Sequence, residues 1–228
     1  MNPKELIERA LESGHSALNE ADSKRLLSVY GIPVVDEAVC VNPDEAATRA
    51  KEIGFPVVLK GLGAKLTHKT ERGLVRLGIN GPGELIEAAR KMADEAGDDL
   101  EGWLVQPQVS GRRELVAGLF RDEQFGPVVM FGLGGIFTEA LDDVVFKVAP
   151  FTEDHADNML DQLRAKLLLG PFRGEAAADR DALINTLLGL SKLGVELENV
   201  AEVDINPLLI TPEGEVLAVD ALVVTRKA

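Results

Sequence analysis

Apolar and polar positions in this chain follow two rhythms, one near a helical period of about 3.6 residues and one near the strand period of about 2. The helical rhythm opens in Met1–Leu11, a charged amphipathic stretch. It returns in Glu20–Tyr30, where Leu26, Leu27 and Tyr30 share one side and Gly31 stops the pattern. Asn42 followed by Pro43 reads as a cap and a first-turn proline, so a helix is predicted to about Ile53. Further helices are predicted over Pro82–Glu95, Glu153–Leu168 and Arg180–Leu193. Strands are predicted at Pro33–Val41, Phe55–Lys60, Gly73–Ile79, Trp103–Val109, Glu114–Phe120, Pro127–Phe131 and within Leu141–Val148. Two more, Val200–Ile210 and Glu215–Thr225, close the chain. Helices interleaved with strands predict an α+β (α/β) protein. The expected division is an N-terminal helix over 1–19, a first lobe over 20–106 and a second over 107–228, meeting near Val105–Ser110 without a flexible tether.

Composition narrows the class. With 46% hydrophobic residues, 228 positions can fill a real core. No apolar run approaches the roughly 18–20 residues that cross a bilayer, and the first residues are not a secretory signal. A soluble cytoplasmic protein is expected. Cys40 is the single cysteine, which excludes an intramolecular disulfide; within the apolar run Val34–Val41 it reads as a small buried hydrophobe. A net charge of −14 argues against a general nucleic-acid binder. An anionic substrate must therefore find a local cluster of cations.

One such cluster follows the apolar strand that ends in Lys60. Gly61 to Gly73 carries Lys65, Lys69 and Arg72 among three glycines that let backbone approach an anion. The same composition also fits a plain exposed turn. His68 sits inside it, and an imidazole can accept a phosphoryl group that neighbouring cations would stabilise; the alternative is a surface loop histidine. A second glycine-rich turn, Gly132-Leu-Gly-Gly135, follows a buried strand and is neither a Rossmann fingerprint nor a P-loop.

The closing strands hold the most specific pattern. Between them, Thr211-Pro-Glu-Gly-Glu215 suits a three-residue hairpin loop with Gly214 in a left-handed position. If Thr211 and Glu215 close it, Asn206 falls opposite Asp220, and Asp204 projects from the same face as Asn206. Two carboxylates and an amide oxygen in apolar strands suit Mg²⁺, which takes few protein oxygens and keeps room for phosphates. An acidic hairpin edge with an Asx-turn before Pro207 remains the competing reading, and a bulge would break the register.

Taken in order, Glu20–Pro33, Leu66-Thr-His-Lys-Thr-Glu71, Asp122–Gly135, Gly170-Pro-Phe-Arg-Gly174 and Glu202-Val-Asp-Ile-Asn-Pro-Leu208 resemble the β subunits of ADP-forming acyl-CoA synthetases (acetate–CoA ligases) over nearly the whole chain. The resemblance implies an ATP-grasp fold, two lobes with a nucleotide cleft between β-sheets. It implies a ligase subunit that uses ATP or ADP with Mg²⁺ and works with a CoA-binding α subunit in an α2β2 heterotetramer. His68 falls on the phosphohistidine that passes its phosphoryl group to ADP. Asn206 and Asp220 fall on metal ligands, Asp204 near them, and Lys60 on the phosphate-binding lysine. Lys60, Gly61, Lys69, Val105, Gln106 and Glu114 make up the expected nucleotide-contacting set, with main-chain groups of the Trp103–Gln108 segment meeting the adenine edge. The chain departs from the pattern at Leu74 after Gly73, at Pro107 and at Lys147, which bears on the nucleotide contacts and on the loop over the phosphates. A succinate-type ligase β subunit, a carboxylate–amine ligase and a regulatory nucleotide-binding module without turnover are the competing readings.

Overall fold

A computed structural model of the chain describes residues 2–63, 66, 72–135 and 143–227. Two compact units emerge: Val35–Val109, and Met1–Val34 together with Ser110–Ala228.

The smaller unit is an antiparallel sheet of β1 (Ala38–Cys40), β2 (Val57–Leu62), β3 (Val75–Ile79) and β4 (Gly102–Pro107) in the order β1-β4-β2-β3, with helices α3 (Pro43–Ile53) and α4 (Pro82–Ala96). The helix starts as its sequence dictates: the Asn42 side chain accepts from Glu45 N at 2.8 Å, while Glu45 accepts from Val41 N at 2.9 Å. Ala46, Ala50, Leu85, Ala89 and Met92 on the helices pack with Val57, Leu59, Trp103 and Val105. Strand alternation then turns Val58, Lys60, Leu104 and Gln106 to the opposite face of this sheet.

The larger unit is built on β5 (Arg113–Asp122), β6 (Gly126–Leu133), β7 (Val144–Val148), β8 (Val200–Ile210), β9 (Val216–Ala218) and β10 (Ala221–Thr225), in the order β10-β8-β5-β6-β7 with β9 beside β8. Its helices are α1 (Pro3–Glu12), α2 (Glu20–Val29), α5 (Glu153–Gln162) and α6 (Arg180–Glu196). They bury one sheet face: Leu115, Ala117, Leu119, Val129, Phe131, Val203, Ile205 and Val223 share a core with Leu6, Leu26, Leu27, Met159 and Leu190. The guanidinium of Arg121 donates to the carbonyls of Gly194, Leu197 and Val200, which satisfies groups at the end of α6.

Three expectations are corrected. Residues 20–34 belong with the larger unit and not with the first lobe. The reason is the edge of β10: Leu18 N donates to Val223 O, Thr225 N to Ser16 O, and Val223 N to Ser23 Oγ, so residues 16–23 close an edge far away in sequence. Strand Pro33–Val41 shrinks to Ala38–Cys40 because Val34 bridges Ala218 in the larger unit and the chain changes unit at Val35. The helix expected over Glu153–Leu168 stops at Gln162, where the buried Asp143 carboxylate accepts from the amides of Arg164 and Ala165 and draws the backbone out of helical geometry. No helix among the described residues is long and apolar enough to cross a membrane.

Candidate functional site

The closing hairpin forms in the expected register. Thr211 N donates to Glu215 O at 2.8 Å, Gly214 N to Thr211 O at 3.0 Å, and Gly214 has φ +95°. On one side of the break between β9 and β10, Leu208 opposes Ala218; on the other, Ile205 opposes Ala221 and Asp204 opposes Leu222. Asn206 and Asp220 are the matching positions across that break, with Val219 N bonded to Pro207 O at 3.2 Å. Bulges do exist, one between Val224 and Thr225 of β10, beyond these positions, and one on the other side of β8. Leu115 pairs with Leu208 and Ala117 with Ile205, so Asn206 and Pro207 together face Val116 of β5. From the turn through Asn206 and Asp220 the hairpin register is unbroken.

Val203 and Ile205 enter the core, so Glu202, Asp204 and Asn206 lie on the face turned away from the helices. Asp204 is half-buried there. Burial, and after it the carboxylates of Glu202 and Asp220, push its carboxyl above the usual Asp range. Beside it on β5 stands Gly118, where an added Cβ would lie 2.8 Å from Val203 O. This close neighbour escaped the sequence reading, although a glycine inside a strand is its usual signal.

Glu114 lies at the start of β5, half-buried beside the glycine turn. Gly134 N donates to Glu114 O at 2.8 Å, and a Cβ on Gly135, at φ +68°, would come within 2.8 Å of the Glu114 carboxylate. Among the described residues no three His, Cys, Asp or Glu side chains converge as a metal cluster. Any cation here depends on two carboxylates, the Asn206 amide and oxygens from a ligand. That donor set fits Mg²⁺, and a cation would offset the charge that burial disfavours on Asp204.

In the smaller unit, β2 and β4 bring Lys60 and Gln106 to diagonal positions on one face, with Leu104 opposite Lys60 and Val58 opposite Gln106. Both are buried, at 5% and 3% exposed. Two further expected positions, Val105 and Gly61, lie within the strands of this sheet. Val105 pairs with Ala38 on one side and Leu59 on the other, so its main chain serves the sheet and its side chain the core. Gly61 N donates to Leu74 O at 2.8 Å, and an added Cβ would stand 3.3–3.5 Å from side-chain carbons of Leu66, Leu74 and Leu100. His68 and Lys69 lie outside the described residues.

Comparison with known proteins places this geometry. A family model described as an ATP-grasp domain matches residues 9–225. The β subunit of acetate–CoA ligase [ADP-forming] II from Pyrococcus furiosus is 38% identical in an alignment 230 positions long that covers 97% of this chain and 97% of the relative. The chain belongs to the ATP-grasp family of ADP-forming acyl-CoA synthetase β subunits. Among solved structures of this family, acetyl-coenzyme A synthetase 1 from Korarchaeum cryptofilum, in complex with coenzyme A and Ca-AMPCP, aligns with TM-score 0.92 and 38% identity, over 99% of this chain and 100% of that one. The same synthetase with coenzyme A and Mg-AMPPCP, its phosphohistidine segment pointing towards the nucleotide binding site, aligns with TM-score 0.87 and 38% identity, over 99% and 100% of the two chains.

Proposed function

We propose that this chain is the nucleotide-binding subunit of an ADP-forming acid–CoA ligase, with the overall reaction acyl-CoA + ADP + phosphate ⇌ acid + CoA + ATP. The observation that carries the reading is the hairpin register, which sets Asn206 against Asp220 with Asp204 on the same face, in a chain matched over 97% of its length by a relative with that activity. Asn206, Asp220 and Asp204 would hold Mg²⁺. Bound there with a nucleotide, it would neutralise phosphate charge and fix the orientation of the terminal phosphate. Lys60, Gly61, Lys69, Val105, Gln106 and Glu114 are assigned to the nucleotide, as the resemblance implies.

His68 is assigned as the phosphoryl carrier. Its ring nitrogen holds the phosphoryl group; the N–P bond breaks as a terminal oxygen of ADP attacks phosphorus in line, and the imidazole leaves neutral after taking a proton. Lys65, Lys69 and Arg72 are the cations assigned to the charge it carries. Transfer needs reacting atoms within roughly 3–3.5 Å, so a group loaded on a partner must travel with the segment bearing His68. The β subunit name of the Pyrococcus relative supports a CoA-binding partner; the arrangement proposed is α2β2 in the cytoplasm.

The test is His68→Ala mixed with the CoA-binding subunit. ATP formation should vanish, while Mg-nucleotide binding by calorimetry and phosphorylation confined to the partner persist. ATP formation at near the wild-type rate would remove His68 from the pathway.

A further inference from the structure

The Gly170–Gly174 segment has no part in the reading above, yet it forms one wall of a spacious cavity. This cavity, about 660 Å³, lies wholly within the larger unit, between the start of β5, the Gly134–Gly135 turn and residues 165–175. Asp204, Asn206 and Asp220 do not line it, and Glu114 is the one residue it shares with the candidate nucleotide set. Its floor is apolar, from Leu133, Ala165, Leu168 and Phe172.

Its charge runs against that of the protein. In a chain of net charge −14, three arginines, Arg112, Arg113 and Arg173, meet at one cavity with two carboxylates, Glu114 and Glu175. Arg113 is buried and committed: it donates to the carbonyls of Leu168, Gly170, Ala176 and Thr211 and to Glu175. Glu175 is thereby neutralised, with Arg112 a further 3.6 Å away. Arg112 keeps a side chain 80% exposed and Arg173 is exposed as well, so both have guanidinium donors to offer at the rim.

Arg173 is also held in an uncommon way. Phe172 and Glu175 exchange backbone hydrogen bonds of 3.2 and 3.0 Å around Arg173 and Gly174, whose φ values are +48° and +86°. That is a type I′ turn, which wants glycine or asparagine at its first central position. Arg173 is the one non-glycine residue with positive φ among those described, and its guanidinium carbon stands 5.3 Å from the Phe172 ring centroid. A disfavoured backbone state thus carries a stacked guanidinium to the mouth of an apolar cavity.

We propose that this cavity binds a small amphipathic carboxylate, with the carboxylate on Arg173 and Arg112 and the hydrocarbon on Leu133, Ala165, Leu168 and Phe172. The bidentate fit of carboxylate to guanidinium supplies the polar half and the floor supplies the other. The proposal stands apart from the nucleotide reading and does not depend on it.

Calorimetry on the full chain with acetate, hexanoate, phenylacetate and inorganic phosphate tests it. Hexanoate and phenylacetate should saturate, and acetate and phosphate should bind far more weakly because they leave the floor bare. Arg173→Gly should keep or raise Tm, since glycine suits φ +48°, yet weaken hexanoate by about tenfold or more. Arg173→Lys should retain part of the affinity, and Arg112→Ala should weaken it too. Absence of saturable binding by hexanoate and phenylacetate would overturn the proposal. So would wild-type affinity in Arg173→Gly, or phosphate binding as tightly as hexanoate.

Discussion

Tyr30 shows how much one contact can decide at the scale of a residue. It caps the end of α2, and its hydroxyl donates to Glu196 at 3.1 Å. Burial, then the hydrogen bond and the charge of Glu196, push its pKa from 10.0 up to about 12. The folded state therefore favours the protonated phenol. The stability it contributes is complete below the unfolded value of 10.0 and is lost as pH rises through about 12. Because Tyr30 is the only tyrosine, phenolate absorbance should report it alone, with a midpoint near 12 in the native protein and near 10 in denaturant; a native midpoint near 10 would contradict the contact. At the candidate metal site, Asp220→Asn removes charge without removing bulk. It should weaken Mg-dependent nucleotide binding at least tenfold, about 1.4 kcal/mol, while shifting stability by less than about 1 kcal/mol. Equal affinity for both proteins in Mg²⁺ calorimetry would argue against the assignment.

Among elements, the hairpin was the most legible. Thr211-Pro-Glu-Gly-Glu215 names its own turn, since a proline and a left-handed glycine have few local alternatives, and the turn then fixes every rung as far as Asn206 and Asp220. Gly214 is doubly constrained: φ is +95°, and a Cβ would lie 2.1 Å from Ala177 O. Gly214→Ala should cost about 2 kcal/mol or more in denaturant unfolding. Gly83→Ala on α4, where a Cβ meets nothing within 4 Å, should cost nothing and serves as the control. A small loss for Gly214→Ala would mean the loop relaxes freely and the register is not pinned there. Gly61 sits in a Gly/Lys-rich composition that fits an anion loop; its amide donates to Leu74, and an added Cβ would stand close to leucine side chains. Local composition does not say which neighbour a glycine makes room for.

For the whole molecule, the decisive feature is where the first residues go. Leu6, Ile7 and Leu18 are 1%, 2% and 5% exposed in the core of the larger unit, and residues 16–18 complete the edge of β10. Deleting residues 2–19 should destabilise that unit by roughly 5 kcal/mol or more, at about 1.5–3 kcal/mol for each large side chain, and open a strand edge to aggregation. Hydrogen exchange should show the loss in β8 and β10 while β2 and β4 keep their protection; equal loss in both units would contradict the division at Val35. The period of the apolar positions, the Asn42-Pro43 cap and the hairpin turn are local, with interactions spanning a few residues, so the α+β class, most element boundaries and the pairing of Asn206 with Asp220 could be read directly from the chain. Partners distant in sequence left no such trace. The closure of β10 by residues 16–23, the capture of residues 164–165 by Asp143, the burial of Val105's main chain between two strands and the meeting of Arg112, Arg113 and Arg173 at one cavity arise from long-range packing. Which distant groups satisfy a given backbone or charge is settled only when the sheets have formed and each buried polar group must find a partner.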